Sequence, residues 1–257
     1  MVRFLSGTVI AVATLALFLL LPPTALRVII IFVAVLATYE YFTLARLSND
    51  TISIVLSSLF VALSCWTISS PGKPIDVILL CALVVLFFEV LVRAKSLADS
   101  STSVVAGLYV GVPLGMLVAL HQVGGPSMAL FLIGTIVVSD VAQYYSGKLF
   151  GKHLLAPEIS PKKTIEGAIG GLLFGVVFVV LVGEHIFPFV KLALLIPMAV
   201  AIVLLGICGD LFESRLKRSA GVKDSGTIIP GHGGLLDRLD ALLFATPGFY
   251  FFINQLM

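Results

Sequence analysis

Four aspartates stand close together in the C-terminal part of the sequence. They are, in chain order, Asp210, Asp224, Asp237 and Asp240. Asp237 and Asp240 are three residues apart at the start of a predicted helix, so both lie on one face of it. Two neighbouring carboxylates repel each other unless a proton or a divalent cation lies between them. Because carboxylate oxygens suit Mg²⁺, the cluster predicts a magnesium site.

A fifth acid, Asp140, lies inside an apolar segment. Gln143 and Tyr144 follow it at helical spacing and share its face. Ionisable residues within a membrane span are costly and usually functional, which makes Asp140 a candidate site residue. Two alternatives stay open: Asp140 could make only an interhelical hydrogen bond, and the four C-terminal acids could only pair with neighbouring arginines and lysines.

Two further segments have the composition of phosphate-binding loops. The first is Ser160-Pro161-Lys162-Lys163-Thr164, and the second is Gly231-His232-Gly233-Gly234; each precedes a predicted helix. Backbone N–H groups at a helix N-terminus bind phosphate, and lysines add positive charge. His232 is a candidate base or phosphate donor, or an ordinary loop residue. Together with the acids, these segments predict a site for a polyphosphate and a metal. Contact with anionic lipid alone would explain the bases but not the acids.

The elements that must position these residues are membrane helices. Of the 257 residues, 59% are hydrophobic and only 12% are charged, and the mean hydropathy is +1.14. A soluble domain carries about 25% charged residues, so this chain cannot cover a water-facing surface. The composition excludes a disordered chain, a secreted disulfide scaffold and a nucleic-acid-binding domain. The three cysteines have no zinc spacing and are expected to be small hydrophobic residues within the membrane.

A bilayer core needs about 20 apolar residues in a helix, and nine segments have this character. They lie at about 4–21, 24–45, 51–70, 75–92, 101–121, 125–147, 165–187, 190–210 and 236–256. The predicted fold is therefore an all-α polytopic integral membrane bundle. On this division, 13 of the 16 basic residues fall on the side of the N-terminus. The positive-inside rule makes that side cytoplasmic, which predicts an N-in, C-out topology.

The chemistry is concentrated in the second half of the chain. We expect residues 1–124 to be a scaffold of membrane helices and residues 125–257 to be the catalytic region, with polar links at about 148–164 and 211–235. Glu40 and Glu89 are interpreted as structural, and Glu213 and Lys217, four residues apart, are expected to form a structural ion pair. Two glycine ladders, at residues 107, 111 and 115 and at residues 167, 171 and 175, predict close helix packing.

A long motif in the C-terminal link resembles the signature of the phosphatidate cytidylyltransferases, or CDP-diacylglycerol synthases. It runs from Ser214 through Lys217-Arg218 and Lys223-Asp224 to the segment Ile229–Asp240, which reads IPGHGGLLDRLD. The segment Ser139-Asp140 and the segment Ser160–Gly167 are also similar to that family. The resemblance covers residues 130–257 well and the first hundred residues only in their hydrophobicity.

The resemblance implies a reaction in which CTP and phosphatidic acid give CDP-diacylglycerol and pyrophosphate, with Mg²⁺ and a possible second cation. It implies metal ligation by Asp210 and Asp237, followed by Asp240 and Asp140. The residues expected to hold phosphates or to contact the substrates are Ser160, Lys162, Lys163, Thr164, Ser214, Lys217, Arg218, Lys223, His232, Gly233, Gly234 and Arg238. Asp224 is expected to orient a substrate rather than to accept a proton.

Other readings predict different features. A CDP-alcohol phosphotransferase would have a DG-x-x-AR motif and wider acid spacing, which this sequence lacks. An enzyme acting on another lipid phosphate, such as an ether lipid, stays open. A transporter would place its charges near mid-membrane and need not bind CTP. We further expect a homodimer, no nucleic-acid partner, and a bacterial cytoplasmic membrane with the active site facing the cytoplasm.

Overall fold

The computed structural model describes residues 2–70, 74–188, 190–231 and 233–256, and the chain is about 81% helical. The helices, in chain order, are α1 (Val2–Leu20), α2 (Pro23–Leu44), α3 (Thr51–Ile68), α4 (Pro74–Phe87), α5 (Leu97–Ala106), α6 (Val112–Phe150), α7 (Ile165–Ile186), α8 (Leu192–Ala220) and α9 (Leu236–Leu256). Single π-helical turns, Phe88–Val92 and Gly107–Gly111, continue α4 and α5.

These helices lie at the predicted positions, and they make the chain a helical membrane protein. Within the described residues, six helical stretches are long and apolar enough to cross a membrane. One of them, Leu97–Phe150, has 54 residues and contains two predicted spans. Its backbone leaves the helical conformation at Gly125, where φ is +70°, immediately before Pro126. The count of nine spans and the N-in, C-out orientation stay predictions.

Helix α8 continues ten residues beyond the membrane span that was predicted to end at about 210. Polar pairs one helical turn apart support this extension, since Ser214 contacts Asp210 and Lys217 pairs with Glu213. Basic residues in the last turn complement the helix dipole. The helix ends before Gly221, whose φ of +76° suits a residue without a side chain.

A two-stranded antiparallel hairpin interrupts the otherwise helical chain and was not predicted. Its strands are β1 (Leu154–Ala156) and β2 (Ser160–Thr164). Glu166 in the first turn of α7 fixes the start of the hairpin, because its carboxylate accepts the backbone N–H groups of Lys152 and His153 at 3.0 and 3.2 Å. The Thr164 hydroxyl then caps α7 by accepting the N–H of Gly167 at 3.1 Å.

The chain divides into two compact units. The first unit comprises Met1–Val123 and Ser219–Leu239, and the second comprises Gly124–Arg218 and Asp240–Met257. The segment Ser219–Leu239 carries most of the signature motif, and its contacts place it with the N-terminal helices. The predicted division at residue 124 separated a scaffold region from a catalytic region. That functional division stays a prediction.

In the first unit, α3 packs against α2, α4 and α5. The predicted glycine ladder provides the close approach to α3: a Cβ on Gly111 would lie 2.9 Å from the carbonyl oxygen of Val61, and one on Gly115 would lie 2.9 Å from the Cα of Cys65. The structure therefore confirms that these glycines serve packing within the chain.

In the second unit, α7 lies against the C-terminal half of α6. A Cβ on Gly167 would lie 2.8 Å from the carbonyl oxygen of Gln143, and one on Gly171 would lie 2.9 Å from that of Ser139. The second ladder is thereby confirmed as a packing surface. Phe131 anchors the core of this unit, with its ring centroid 5.5 Å from Phe187 and 5.8 Å from Phe249.

Candidate active site

Asp210 is the centre of the polar cluster in the second unit. It lies on α8, where the Ser214 hydroxyl one turn later donates to its Oδ1 at 3.2 Å. Its Oδ2 forms an ion pair with the ammonium of Lys163 on β2. Both side chains are partly exposed, at 29% for Asp210 and 21% for Lys163, so solutes can reach this pair. The hairpin therefore carries the lysine pair to the acid.

A cavity of about 470 Å³ opens beside this ion pair. Its lining includes six residues that the sequence analysis selected as site candidates: Asp140, Ser160, Lys162, Lys163, Thr164 and Asp210. Lys148 and Tyr144 complete its polar rim. Asp140 is held by the side-chain amide of Gln143, which donates to its Oδ1 at 3.0 Å. The cavity thus combines two carboxylates with three lysines, an arrangement that can hold both a cation and an anion.

Asp240 belongs to the same electrostatic group. The negative charges of Asp210 and Asp140 act on its carboxyl, and the positive charge of Lys217 opposes them. Gly209 allows α8 and α9 to meet here, since a Cβ at this position would collide with the carbonyl oxygen of Asp240. Three carboxylates of the second unit, those of Asp140, Asp210 and Asp240, therefore influence one another. The predicted cluster instead joined Asp210 and Asp240 with Asp224 and Asp237, which belong to the first unit.

The two basic residues at the end of α8 make contacts within the second unit. The ammonium of Lys217 pairs with Glu213, which is fully buried, as the spacing of the two residues predicted. The guanidinium of Arg218 donates to the carbonyl oxygen of Ile159 at 3.2 Å, and so fixes the hairpin turn against the helix. Their predicted contacts with phosphate stay predictions.

Asp237 lies in the part of the signature motif that belongs to the first unit, Ser219–Leu239, which we call the signature segment. Other residues of this segment position its side chain. Its Oδ2 accepts hydrogen bonds from the backbone N–H of Ser225 at 2.8 Å, from the Ser225 hydroxyl at 3.0 Å and from the backbone N–H of Gly234 at 2.8 Å. Gly233 has a φ of +82°, and a Cβ there would lie 2.6 Å from the same oxygen. The turn at Gly233-Gly234, called the glycine turn below, therefore fits closely around the carboxylate of Asp237.

A second polar cavity, of about 630 Å³, lies in the first unit beside this turn. Its lining includes the predicted site residues Lys223, Asp224, Gly233 and Arg238. The N–H of Ile229 donates to the carbonyl oxygen of Gly233 at 2.9 Å and closes the loop that forms one wall. His232 lies outside the described residues, so its predicted role is left as it stands.

The carboxylates fit a magnesium ion better than a metal held by protein ligands alone. Among the described residues, no group of three or more His, Cys, Asp or Glu is arranged to hold a metal. Mg²⁺ is usually bound through one or two carboxylates, with waters and substrate phosphates completing its shell. Asp140 and Asp210 offer such a partial set beside the lysines that would meet the phosphates.

Comparison with known proteins decides the family. Residues 1–256 match the family described as the cytidylyltransferase family. The chain belongs to this family. The match extends over the N-terminal helices, which the signature-based resemblance could not cover.

Individual relatives of this cytidylyltransferase-family chain are bacterial. The phosphatidate cytidylyltransferase of Bacillus subtilis is 31% identical over 269 residues, covering 98% of this chain and 96% of that protein. That of Thermotoga maritima is 30% identical over 225 residues, covering 85% and 83%. An Escherichia coli protein named as the uncharacterized protein YnbB is 42% identical over 140 residues, 54% of this chain, and the alignment spans 46% of its own length.

Sequence reasoning missed one residue that contacts the signature segment of this family member. Glu40 on α2 was interpreted as structural, yet its carboxylate accepts hydrogen bonds from three residues near Asp237, described below. A buried acid in an apolar helix was the available signal, and it is the signal that selected Asp140. Its partners lie about 190 residues further along the chain, so no spacing rule could connect them.

Proposed function

We propose that this chain is a CTP:phosphatidate cytidylyltransferase, which transfers the cytidylyl group of CTP to phosphatidic acid and releases pyrophosphate. The observation that carries the proposal is the cavity of the second unit, in which Asp140 and Asp210 face Lys148, Lys162 and Lys163. In a member of the cytidylyltransferase family, such a mixed cavity suits a triphosphate. The names of the relatives from B. subtilis and T. maritima support phosphatidate as the acceptor.

The proposed reaction is an in-line displacement at phosphorus. A phosphate oxygen of phosphatidic acid attacks the α-phosphorus of CTP, and a new P–O bond forms as the bond to the bridging oxygen of pyrophosphate breaks. The attacking phosphate is already an anion, so no protein base is needed to activate it. The task of the chain is to bring two anions together and to hold them in line.

Within the second unit, the lysines of the hairpin supply positive charge. Lys163 is held in place by Asp210, and Lys162 and Lys148 extend the positive rim of the same cavity. Fixed cations beside the developing negative charge of a leaving pyrophosphate stabilise the transition state more than the ground state. We assign triphosphate binding to this cavity, with Ser160 and Thr164 as hydroxyl contacts.

Within the first unit, Lys223 and Arg238 line a cavity of their own beside the glycine turn. An arginine and a lysine that line one cavity are suited to a phosphate group. Asp224 lines the same cavity and would orient a substrate by repelling phosphate oxygens from its side. We assign phosphate contact to this cavity without distinguishing the two substrates.

Magnesium is the proposed cofactor, and the family resemblance implies a second cation. Within the second unit, Asp210, Asp140 and Asp240 are the residues that would hold it. Asp237, in the first unit, stays a predicted metal ligand. When bound, Mg²⁺ would neutralise phosphate oxygens and favour departure of pyrophosphate.

We further propose a bacterial cytoplasmic membrane as the location, with the active site on the cytoplasmic face, since CTP is water-soluble and phosphatidic acid is a membrane lipid. The positive-inside distribution of the basic residues supports this orientation. A homodimer is proposed from the family resemblance alone, because the glycine ladders contact helices of their own chain.

Pyrophosphate release by purified, detergent-solubilised protein tests the function. The reaction contains CTP and Mg²⁺, with phosphatidic acid in one arm and diacylglycerol, which lacks the phosphate, in the matched arm. We expect release only with phosphatidic acid and only with Mg²⁺, and we expect ATP to be inactive. CTP binding without release would indicate another lipid-phosphate acceptor. Neither binding nor release by folded protein would refute the enzyme and favour a transporter.

A further inference from the structure

Glu40 projects from α2 into the signature segment of the first unit. Glu40 is buried, with only 3% of its surface exposed. The carboxylate accepts the backbone N–H of Leu235 at 2.9 Å and that of Leu236 at 2.7 Å. These N–H groups lie at the start of α9, where the first turn of a helix has no internal acceptors. A carboxylate at this position is also favoured by the helix dipole.

The loop closes around this carboxylate because it has glycines where a side chain would collide. A Cβ on Gly226 would lie 2.5 Å from Oε1 of Glu40, and one on Gly234 would lie 2.7 Å from the same atom. Real Cβ atoms do not approach an oxygen so closely without displacing something. Gly226 and Gly234 are therefore matched to Glu40, and not only to a substrate.

Ser225 connects Glu40 to Asp237. The Ser225 hydroxyl lies 3.0 Å from Oε2 of Glu40 and 3.0 Å from Oδ2 of Asp237, and the serine itself is buried. The carboxylate of Glu40 thus contacts both ends of the segment that holds Asp237, at Ser225 and at the start of α9. A shift of Glu40 would move the donors that fix the Asp237 side chain.

We propose that Glu40 is a positioning residue for the reaction: it anchors the signature segment and, through Ser225, fixes the carboxylate of Asp237. The inference rests on the proposed function, in which Asp237 is a metal ligand. Partners that orient a metal ligand influence metal affinity or activity by about 10- to 100-fold when they are removed. Glu40 acts from a scaffold helix and lines neither of the two polar cavities described above, so its effect is indirect.

A purely structural role for Glu40 predicts something else. Its loss would then reduce the folded fraction, and activity per folded molecule would not change. Glu89 offers the matched control, because it is a fully buried glutamate of the same unit. It pairs with Arg93 at 3.4 Å and with Lys95 at 3.3 Å, away from the signature segment.

The experiment compares Glu40→Gln, Ser225→Ala, the double variant and Glu89→Gln in the full-length protein. For each we would measure thermal unfolding, the kcat and KM of pyrophosphate release, and the Mg²⁺ concentration at half-maximal rate. We expect Glu40→Gln to raise that Mg²⁺ concentration about tenfold or more per folded molecule, and Glu89→Gln to leave it unchanged. The double variant should lose less than the product of the single effects, because the two residues act through one contact. Glu40→Asp, whose carboxylate is one methylene shorter, should recover part of the loss.

A readout independent of turnover is amide hydrogen exchange at Leu235 and Leu236. We expect exchange about tenfold faster in Glu40→Gln, as for one lost hydrogen bond, and no change there in Glu89→Gln. Unchanged Mg²⁺ dependence, or a loss of activity that only follows the folded fraction, would overturn the proposal. If wild-type protein releases no pyrophosphate, the proposed function is refuted. Separately, unchanged amide exchange at Leu235 and Leu236 in Glu40→Gln would refute the anchoring of the segment by Glu40.

Discussion

Ser225 donates to one oxygen of Asp237 from its backbone N–H at 2.8 Å and from its hydroxyl at 3.0 Å, and the single hydroxyl hydrogen is shared with Glu40. The two residues are twelve positions apart, at opposite ends of the glycine-containing loop. Together with the backbone N–H of Gly234, these donors fix the rotamer of the Asp237 side chain. The loop therefore holds the carboxylate of Asp237 in one defined orientation.

We expect Asp237→Asn to abolish Mg²⁺-dependent pyrophosphate release while the protein stays folded. The amide retains one oxygen to accept the loop donors but loses the negative charge that a cation requires. A reduction of kcat/KM by about 10²-fold or more corresponds to about 2.7 kcal/mol of transition-state stabilisation. Steady-state kinetics and thermal unfolding would be measured together, with Asp99→Asn as the control on an exposed helix start. Wild-type turnover in Asp237→Asn would refute its assignment as a ligand.

The second prediction concerns Lys163, whose ammonium group adds positive charge to the cavity and whose ion pair holds the side chain of Asp210 in place. We expect Lys163→Gln to lower kcat/KM for CTP about 10- to 100-fold through weaker phosphate binding and a misplaced Asp210. The matched control is Lys152→Gln, since the backbone of Lys152 and not its side chain contacts Glu166. Equal kinetics of the two variants would contradict the role of Lys163.

Local spacing predicted much of the architecture. Apolar runs located the helices, and pairs one turn apart, such as Glu213 with Lys217, are confirmed. The glycine ladders correctly predicted helix contacts, since a repeat of four residues produces a smooth face. Helix ends were less predictable, because the polar pairs that extend α8 to Ala220 look like loop residues in a hydropathy profile.

Long-range contacts could not be predicted from one sequence. The hairpin depends on the carboxylate of Glu166, which lies beyond both strands. The link between Glu40 and Leu236 spans 196 residues and is decided by how the helices pack. The types of residue in the sequence predicted the candidate site residues. The three-dimensional arrangement was needed to show that some of them line a cavity beside the hairpin and others line a cavity beside the glycine turn.

Gly209 and Gly206 provide a pair of substitutions that differ only in the space available. A Cβ on Gly209 would collide with the carbonyl oxygen of Asp240 and lie 3.0 Å from the Cβ of Phe244. A Cβ on Gly206 would meet nothing closer than the Cβ of Ala241, at 3.7 Å. We expect Gly209→Ala to destabilise the protein by about 1–3 kcal/mol, as overpacking does, and to reduce activity by displacing Asp240. Gly206→Ala should match wild type in thermal unfolding, and equal effects of both would contradict this packing.

An ion-pair cluster in the first unit makes stability depend on pH. Asp50 caps α3 by accepting the N–H of Ser53 at 3.1 Å. It pairs with Arg93 at 2.9 Å and also with Lys95. Partial burial alone would raise the pKa of Asp50, but hydrogen bonds from Lys95 and Arg93 lower the pKa below its ordinary value.

The direction of this shift decides the last prediction. A carboxyl whose pKa is lower in the folded state contributes stability above its unfolded pKa of about 4 and loses it as the pH falls through the folded value. We therefore expect Asp50→Asn to lower the unfolding temperature at pH 7, and this difference from wild type to shrink steadily below about pH 4. Thermal unfolding of both proteins in one detergent between pH 7 and pH 3 measures it. A difference that stays constant over this range would mean that the charge of Asp50 contributes nothing and that only its hydrogen-bonding shape matters.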